Sequence, residues 1–189
     1  MLGEWCFYGN RFSKEQCDWI LKEGLKIPSQ KGNLGVAGEG FNDEYRRSEV
    51  RFITREHTHF NWLFDEMWRM AIEANDQWFG FHLSKVDFIQ LAEYDAEVEG
   101  EYKKHHDVFW INGTNYHRKL TSVVQLSDPS EYEGGNLVLF NQNEKIDAEA
   151  IKQQGTVIFF PSFIEHQAEK VTKGKRYSLA VWWDGPHWR

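Results

Sequence analysis

The hydrophobic period of the chain changes near residue 86, and this change limits the fold more than any other feature. Upstream, apolar side chains recur every three or four residues and predict a helix from about Phe60 to Ala74. Downstream, short β-branched and aromatic segments alternate with turn residues, which is typical of strands. Helices followed by strands favour an α+β fold, mainly β, whose helices pack on one face of a sheet.

Five downstream segments have the length and composition of strands. They are residues 86–94, 120–126, 137–140, 157–160 and 177–183. Turn residues separate them, including Asp128-Pro129, Gly134-Gly135 and Gly155. Several short strands at fairly regular spacing predict a sandwich or barrel. The polar stretch 142–154 is expected to lie on the surface.

The N-terminal region begins with a second helix signal. Ser13 and Gln16 form a capping box, which predicts a helix from Lys14 to about Lys26. Gly32, Gly35, Gly38 and Gly40 then predict a mobile loop. We expect one domain over 1–189, in which residues 1–80 supply helical support and the glycine-rich loop, and residues 81–189 form the catalytic core.

Composition narrows the class of protein. The chain has 189 residues, and 22 Lys and Arg against 29 Asp and Glu give a net charge of −7, which argues against a nucleic-acid partner. Its apolar fraction of 41% suits a packed core. No apolar run approaches the ~20 residues that span a bilayer, so we expect no membrane segment. Two cysteines and a start without signal-peptide character predict a cytoplasmic setting.

The pair His105 and Asp107 has the spacing that two metal ligands on one strand need. Side chains at i and i+2 point to the same face of a strand, so His106 points away. An ordinary polar strand face would show the same spacing, so the pair alone does not decide. His57 and His59 have this spacing too, but they precede the second helix and are expected on its surface.

A third ligand and a cation could come from the last strands. His166 follows an apolar strand that ends in Pro-Ser, and Arg176 lies ten residues further on. A hairpin turning near Lys173-Gly174 would bring Arg176 close to the strand of His166. A buried structural histidine and a surface arginine are the alternatives.

Taken in order, these motifs resemble one family, the Fe(II)- and 2-oxoglutarate-dependent dioxygenases of the prolyl 4-hydroxylase type, close to their bacterial and phage branch. The resemblance covers about residues 90–183. The residues that carry it are Tyr94, Gly100-x-Tyr102-x-x-His105-x-Asp107, Arg118-Lys-Leu-Thr, Gly134-Gly135-Asn-Leu137, Gly155-Thr-Val-Ile-Phe-Phe-Pro-Ser, His166 and Gly174-x-Arg176-Tyr-Ser-Leu.

The resemblance implies a double-stranded β-helix, or jelly roll, with N-terminal supporting helices. It implies His105, Asp107 and His166 as ligands of Fe(II), the facial triad typical of non-haem iron oxygenases. It implies Arg176 as the anchor of the cosubstrate 2-oxoglutarate, since a guanidinium binds a carboxylate with two parallel hydrogen bonds. O2 and, as a reductant, ascorbate belong to the same expectation.

Further site residues follow from the resemblance. Tyr94 is expected to reach the cosubstrate, and Gln125 stands where relatives often have a tyrosine that touches the distal carboxylate. Tyr102, Trp110, Tyr116 and Trp183 are candidates to face the substrate, with core packing as the alternative for the tryptophans. The loop 32–40 is a candidate lid over the site.

The implied reaction is hydroxylation of an unactivated C–H bond, with succinate and CO2 as coproducts. A peptidyl prolyl residue is the leading substrate, and a free amino acid or small metabolite is the alternative. Two other hypotheses stay open at this point: a cupin-like jelly roll that uses another metal, and a jelly roll that binds a ligand or partner without catalysis. The expected compartment is the cytoplasm of a bacterium, or of the host if a phage encodes the chain.

Overall fold

Two antiparallel β-sheets face each other in the computed structural model, which describes residues 3–32, 42–111 and 113–188. The α-helices are α1 (Lys14–Gly24), α2 (Asn61–Ala74) and α3 (Ala148–Lys152). The strands are β1 (Cys6–Tyr8), β2 (Gln30–Lys31), β3 (Arg46–Arg47), β4 (Glu49–Ile53), β5 (Ile89–Asp95), β6 (Glu101–His105), β7 (Tyr116–Gln125), β8 (Tyr132–Gly134), β9 (Leu137–Leu139), β10 (Val157–Pro161), β11 (His166–Ala168) and β12 (Val171–Pro186).

The order of the strands is that of a jelly roll. Over the described residues, the larger sheet has eight strands in the order β1-β10-β7-β12-β5-β4-β2, with β8 paired to β12. The smaller sheet has the order β3-β6-β11-β9. Strands that follow one another in sequence therefore often lie in opposite sheets, as a double-stranded β-helix requires. The predicted α+β, mainly β fold with N-terminal helices is confirmed.

The two long helices cover the outer face of the larger sheet. Helix α1 begins at the predicted capping box, in which Ser13 Oγ accepts from the Gln16 amide and Gln16 Oε1 accepts from the Ser13 amide. Cys17 and Ile20 of α1 and Met67 of α2 pack into the main core against apolar side chains of the sheet. Burial of this face supplies most of the stabilisation that short helices lack on their own. None of the described helices is long and apolar enough to cross a membrane.

The first 80 residues supply strands as well as helices, which the sequence patterns missed. β1 pairs with β10, β4 pairs with β5, and β3 pairs with β6 of the smaller sheet. These additions satisfy backbone groups that would otherwise stay open at the edges of both sheets. The division at residue 80 stays a prediction, although the N-terminal part is built into both sheets.

Two local expectations differ from the structure. The hairpin at Lys173-Gly174 is wrong: β12 runs through these residues, pairs with β8 there, and then pairs with β5 and β7. The polar stretch 142–154 contains α3, whose Ile151 is buried against the sheet. In both cases pairing and packing with distant segments outweigh the local turn signal.

Candidate active site

Three side chains with metal-binding atoms converge between the sheets. His105 ends β6, Asp107 follows it by two residues, and His166 begins β11 directly opposite His105 in the antiparallel register. One donor atom from each of the three residues lies within 4.8 Å of the others. His105 Nε2 is 3.7 Å from Asp107 Oδ1, and His166 Nε2 is 3.4 Å from Asp107 Oδ2. The structure therefore brings together the three residues that the sequence selected.

Both imidazoles present the same nitrogen to this point. His105 Nδ1 is 2.7 Å from the carbonyl oxygen of Lys103, and His166 Nδ1 is 2.9 Å from that of Ile164. A carbonyl oxygen only accepts, so Nδ1 carries the proton and donates in each ring. The Nε2 lone pairs are left to face Asp107, as they must in histidines that bind a metal.

The environment keeps the histidine neutral and the carboxylate ionised. Burial, followed by the neighbouring His166, lowers the pKa of His105 to about 3. Burial opposes ionisation of Asp107, but His166, His105 and Arg118 outweigh it and lower its pKa to about 2. Two imidazoles and one carboxylate are the donor set expected for a non-haem Fe(II) centre. The residues present thus fit the metal that the resemblance implies.

A β-bulge brings Tyr102 onto the ring of His105. His166 pairs with His105 and Ala168 with Tyr102, so three residues of β6 oppose two of β11. Tyr102 and His105 consequently share a face, and their rings stack with centroids 3.5 Å apart. The guanidinium of Arg46 covers the other side of Tyr102, 4.4 Å from its centroid. Tyr102 is therefore a wall of the metal-binding region.

The cavity between the sheets, here called the inner cavity, leads from these donors to Arg176. Arg176 is 2% exposed, and its Nη2 donates a 3.0 Å hydrogen bond to Oε1 of Gln125. Its Nε atom is buried without a hydrogen-bond partner among the described residues, so a further acceptor can bind there. Tyr94 lies opposite Arg176 in the strand register and also lines the inner cavity.

Tyr132 is a fourth member of this group that the sequence patterns did not single out. It is buried, and burial raises the pKa of its hydroxyl while the Arg176 guanidinium opposes the rise. The glycine pair before β9 allows this approach, because a Cβ on Gly135 would lie 3.0 Å from Cδ of Arg176. The conspicuous Gly-Gly turn was the one available signal.

A second cavity, here called the outer cavity, adjoins Asp107 on the opposite side and has a volume of about 370 Å³. Aromatic rings dominate its wall: Phe52, Phe88, Phe109 and Trp182. Arg118 lies against two of them, 3.9 Å from the Trp182 ring and 4.8 Å from the Phe109 ring. Arg118 donates no hydrogen bond to any residue that the structure describes, so its N–H groups are available to a bound molecule.

The other predicted residues fall outside both cavities. Trp183 is wrong as a substrate-facing residue, because it is 0% exposed and packs in the main core against Trp68 of α2. Its neighbour Trp182 faces the cavities instead, as strict alternation from Arg176 would have indicated. Trp110 is 52% exposed, close to His117, and its contact with substrate stays a prediction.

The remaining expectations concern surface segments. His57 and His59 flank the entry to α2, far in the sequence from the three donors and outside their cluster. Residues 33–41 of the candidate lid lie outside the described residues. Gly32, the first of its glycines, donates its backbone N–H to the carbonyl of Ser48.

Comparison with known families agrees with this site. A model of the 2OG-Fe(II) oxygenase superfamily matches residues 89–184, half of the chain. A PKHD-type hydroxylase of Nitrosomonas europaea is 37% identical over 67 residues, which are 34% of this chain and 28% of that protein. PKHD-type hydroxylase YbiX of Shigella sonnei is 29% identical over 90 residues, which are 47% of this chain and 36% of that protein. The chain thus matches well under half of the length of these relatives.

Solved structures extend the likeness over nearly the whole fold. A viral collagen prolyl hydroxylase from Paramecium Bursaria Chlorella virus-1 has a TM-score of 0.71 at 18% identity, with 96% of each chain covered. A Trichoplax adhaerens prolyl hydroxylase, in complex with a peptide fragment of the hypoxia inducible factor oxygen degradation domain, has a TM-score of 0.75 at 18% identity. The match covers 96% of this chain and 83% of that one. At such identity the likeness establishes the fold alone.

Proposed function

Because the chain belongs to the 2OG-Fe(II) oxygenase superfamily, we propose that it is a 2-oxoglutarate-dependent dioxygenase that hydroxylates a peptidyl prolyl residue. The family implies Fe(II), 2-oxoglutarate and O2. When bound, Fe(II) supplies the redox chemistry that couples oxidative decarboxylation of 2-oxoglutarate, to succinate and CO2, with insertion of oxygen into a C–H bond. The convergence of His105, Asp107 and His166 is the observation that carries the proposal.

The three converging residues are the proposed metal ligands. Their Nε2 atoms and carboxylate oxygens are oriented before any metal arrives, since backbone carbonyls hold both Nδ1 protons. One carboxylate charge and two neutral imidazoles leave a bound divalent ion with net positive charge. That charge favours an anionic cosubstrate in the adjoining inner cavity.

Arg176 is the proposed anchor for the distal carboxylate of 2-oxoglutarate. It is a buried cation with an unsatisfied Nε, it never deprotonates, and it lines the same cavity as the three ligands. The Gln125 amide, held through its oxygen by Arg176, turns its N–H groups to serve as further donors. Tyr94 stands beside Arg176, 5.4 Å from its guanidinium carbon to the ring centroid, and closes the wall against water.

The outer cavity supports a prolyl side chain as the substrate group. Aromatic faces pack well against a saturated ring, and Trp182 separates this space from the cosubstrate side. The unpaired N–H groups of Arg118 can donate to a backbone carbonyl of the peptide next to the reacting residue. The same guanidinium would bind the carboxylate of a free amino acid, which is the alternative substrate. Similar structures named as prolyl hydroxylases favour the peptide.

The test measures succinate and substrate mass together. Anaerobically purified protein is supplied with Fe(II), 2-oxoglutarate and O2, with a proline-rich peptide, a set of free amino acids, or neither. We expect succinate formation that the peptide stimulates, with a gain of one oxygen atom in the peptide by mass spectrometry. Stimulation by free amino acids alone would select the alternative substrate. No succinate under any condition, or full activity of the His166→Ala variant, would overturn the oxygenase proposal.

Two further expectations remain proposals. Ascorbate as a reductant can be tested by adding it to the same assay, where it should restore turnover lost during repeated cycles. A cytoplasmic location agrees with the burial of both free cysteines but rests on no other observation.

A further inference from the structure

Buried hydroxyl groups lead from the end of β10 to the carboxylate of Asp107. Thr121 Oγ1 lies 2.8 Å from Asp107 Oδ2, and Ser162 Oγ lies 2.9 Å from Thr121 Oγ1. Thr121 is on β7 and Ser162 directly follows β10, and neither side chain has meaningful contact with solvent. The chain of bonds therefore connects three segments that are distant in sequence.

The direction of these hydrogen bonds follows from counting protons. An ionised carboxylate only accepts, so Thr121 donates its single hydroxyl proton to Asp107. The bond between the two hydroxyls must then run the other way, with Ser162 donating to Thr121. The Ser162 proton thus holds Thr121 in the rotamer that serves the carboxylate, and the two bonds polarise each other.

Ser162 holds the backbone of Asp107 as well. Its carbonyl oxygen accepts a 2.8 Å hydrogen bond from the Asp107 amide, and its own amide donates to the carbonyl of Lys119 at 3.0 Å. Asp107 lies just beyond the end of β6, where no strand ladder fixes it. Backbone and side chain of Asp107 are consequently both tied to the same residue.

The shape of the site does not require a threonine here. Valine would fill the same volume, and the next inward-facing position of β7 is Val123. A buried hydroxyl is unfavourable unless it is hydrogen-bonded, and the hydroxyl of Thr121 is bonded only to Asp107 and Ser162 among the described residues. Its use is therefore directed at the carboxylate.

We propose that Thr121 and Ser162 are positioning residues that fix the plane of the Asp107 carboxylate before a metal binds. Without the Thr121 proton, the carboxylate can rotate and must be reordered each time a metal arrives. This inference rests on the proposed function only for the assignment of His105, Asp107 and His166 as ligands. Thr121 and Ser162 act through Asp107 and need no contact with the substrate.

The test measures metal binding by the full chain without turnover. Co(II) is titrated into the metal-free protein, and both the dissociation constant and the visible absorption spectrum of bound Co(II) are recorded. Thr121→Val should weaken binding by about 10–100-fold, the usual effect of losing an outer partner of a ligand, and should alter the spectrum. Thr121→Ser should restore both values, and Ser162→Ala should show a smaller loss in the same direction.

A matched control separates positioning from general destabilisation. Ser122, the next residue on β7, is equally buried, but its hydroxyl faces the helices and accepts from Trp183 Nε1 at 3.2 Å. Ser122→Ala should bind Co(II) as the wild type does. Equal losses in Ser122→Ala and Thr121→Val, or wild-type binding by Thr121→Val, would overturn the inference.

Two further outcomes are decided in advance. If Thr121→Val does not fold by circular dichroism, Ser162→Ala against Ser122→Ala decides, because only the former touches the hydroxyl chain. Wild-type protein that binds no Co(II) would reject both the ligand assignment and the positioning residues. Wild-type binding with unchanged variants would reject the positioning residues alone.

Discussion

Arg176 and Gln125 hold each other inside the jelly roll through a 3.0 Å hydrogen bond from Nη2 of Arg176 to Oε1 of Gln125. Both side chains are buried, so neither charge nor dipole is weakened by water. The pair places one permanent cation and one amide donor at the far end of the inner cavity. A dicarboxylic acid bound at the metal would meet both.

The first prediction concerns the affinity for 2-oxoglutarate. Arg176→Ala should raise the dissociation constant at least ~100-fold, because two charge-assisted hydrogen bonds contribute about 1.5–3 kcal/mol each. Arg176→Lys should fall between, since it keeps the charge and loses the fork. Calorimetric titration with Co(II)-loaded protein measures both values. An unchanged constant in Arg176→Ala would remove Arg176 from its proposed role.

Gln125 provides a second prediction with a built-in comparison. Gln125→Leu removes a donor, whereas Gln125→Glu puts a carboxylate next to Arg176 and competes with the ligand for the cation. Gln125→Glu should therefore bind 2-oxoglutarate more weakly than Gln125→Leu, although it is closer in shape to the wild type. The opposite order in the same titration would contradict the arrangement described for this pair.

Two adjacent tryptophans should respond differently to truncation. Trp183→Ala should lower the free energy of unfolding by about 3–5 kcal/mol, because it leaves a large void in the core against α2. Trp182→Ala should cost less stability and instead raise the KM for the peptide, since its ring walls the outer cavity. Urea unfolding and steady-state assays on both variants compare them. Equal losses of stability with equal KM values would be inconsistent with the faces assigned to β12.

The pH dependence of stability should carry a contribution from His117. Burial, followed by the neighbouring His187, lowers the pKa of His117, and its Nδ1 accepts a 3.1 Å hydrogen bond from the Trp188 amide. As pH falls below ~6.5, the unfolded chain takes up a proton there and the folded chain resists it, so stability falls. The stability is fully present above that pH.

Chemical denaturation of the metal-free protein at pH 7.5 and 5.5 measures this effect. His117→Gln keeps an acceptor and removes the titration, so its loss of stability between the two pH values should be smaller than that of the wild type. His187→Phe keeps the stacked ring and should reduce the loss in part. An identical loss in His117→Gln would show that the titration lies elsewhere.

The two cysteines should be inert in the native state. Burial raises the pKa of Cys6 to about 12 and that of Cys17 to about 11. At pH 8 fewer than about one thiol in a thousand is ionised, and only the thiolate is nucleophilic. A chromogenic disulfide reagent should react with both thiols only after denaturant is added. Rapid labelling of the native protein would contradict their burial.

The sequence predicted the parts of the site that depend on local spacing. The i, i+2 pair His105 and Asp107, the capping box at Ser13 and the helix ending at Ala74 follow from local periodicity, which is the same in the isolated chain and in the fold. His166 and Arg176 were linked to them through a family resemblance, and the two proved to share a cavity although the expected hairpin does not exist.

The parts that were missed depend on events between segments. A bulge in β6 puts Tyr102 and His105 on one face, where strict alternation would separate residues three apart. Thr121 and Ser162 are ordinary residues until two strands bring their hydroxyls to Asp107. Trp183 was preferred over Trp182 because composition alone does not distinguish two identical neighbours. Registers and pairings of this kind are properties of the folded chain.

A single strand, β12, sets the ruler by which both ends of the reaction chamber are measured. Arg176 and Trp182 are six residues apart on it, both facing inward, while Tyr177 and Trp183 face the helices. An insertion or deletion of one residue between them would exchange buried indole for cavity wall and turn the guanidinium or its counterpart outward. We therefore expect natural variation in this molecule to accumulate in its loops and helices, while the length of that segment stays constant.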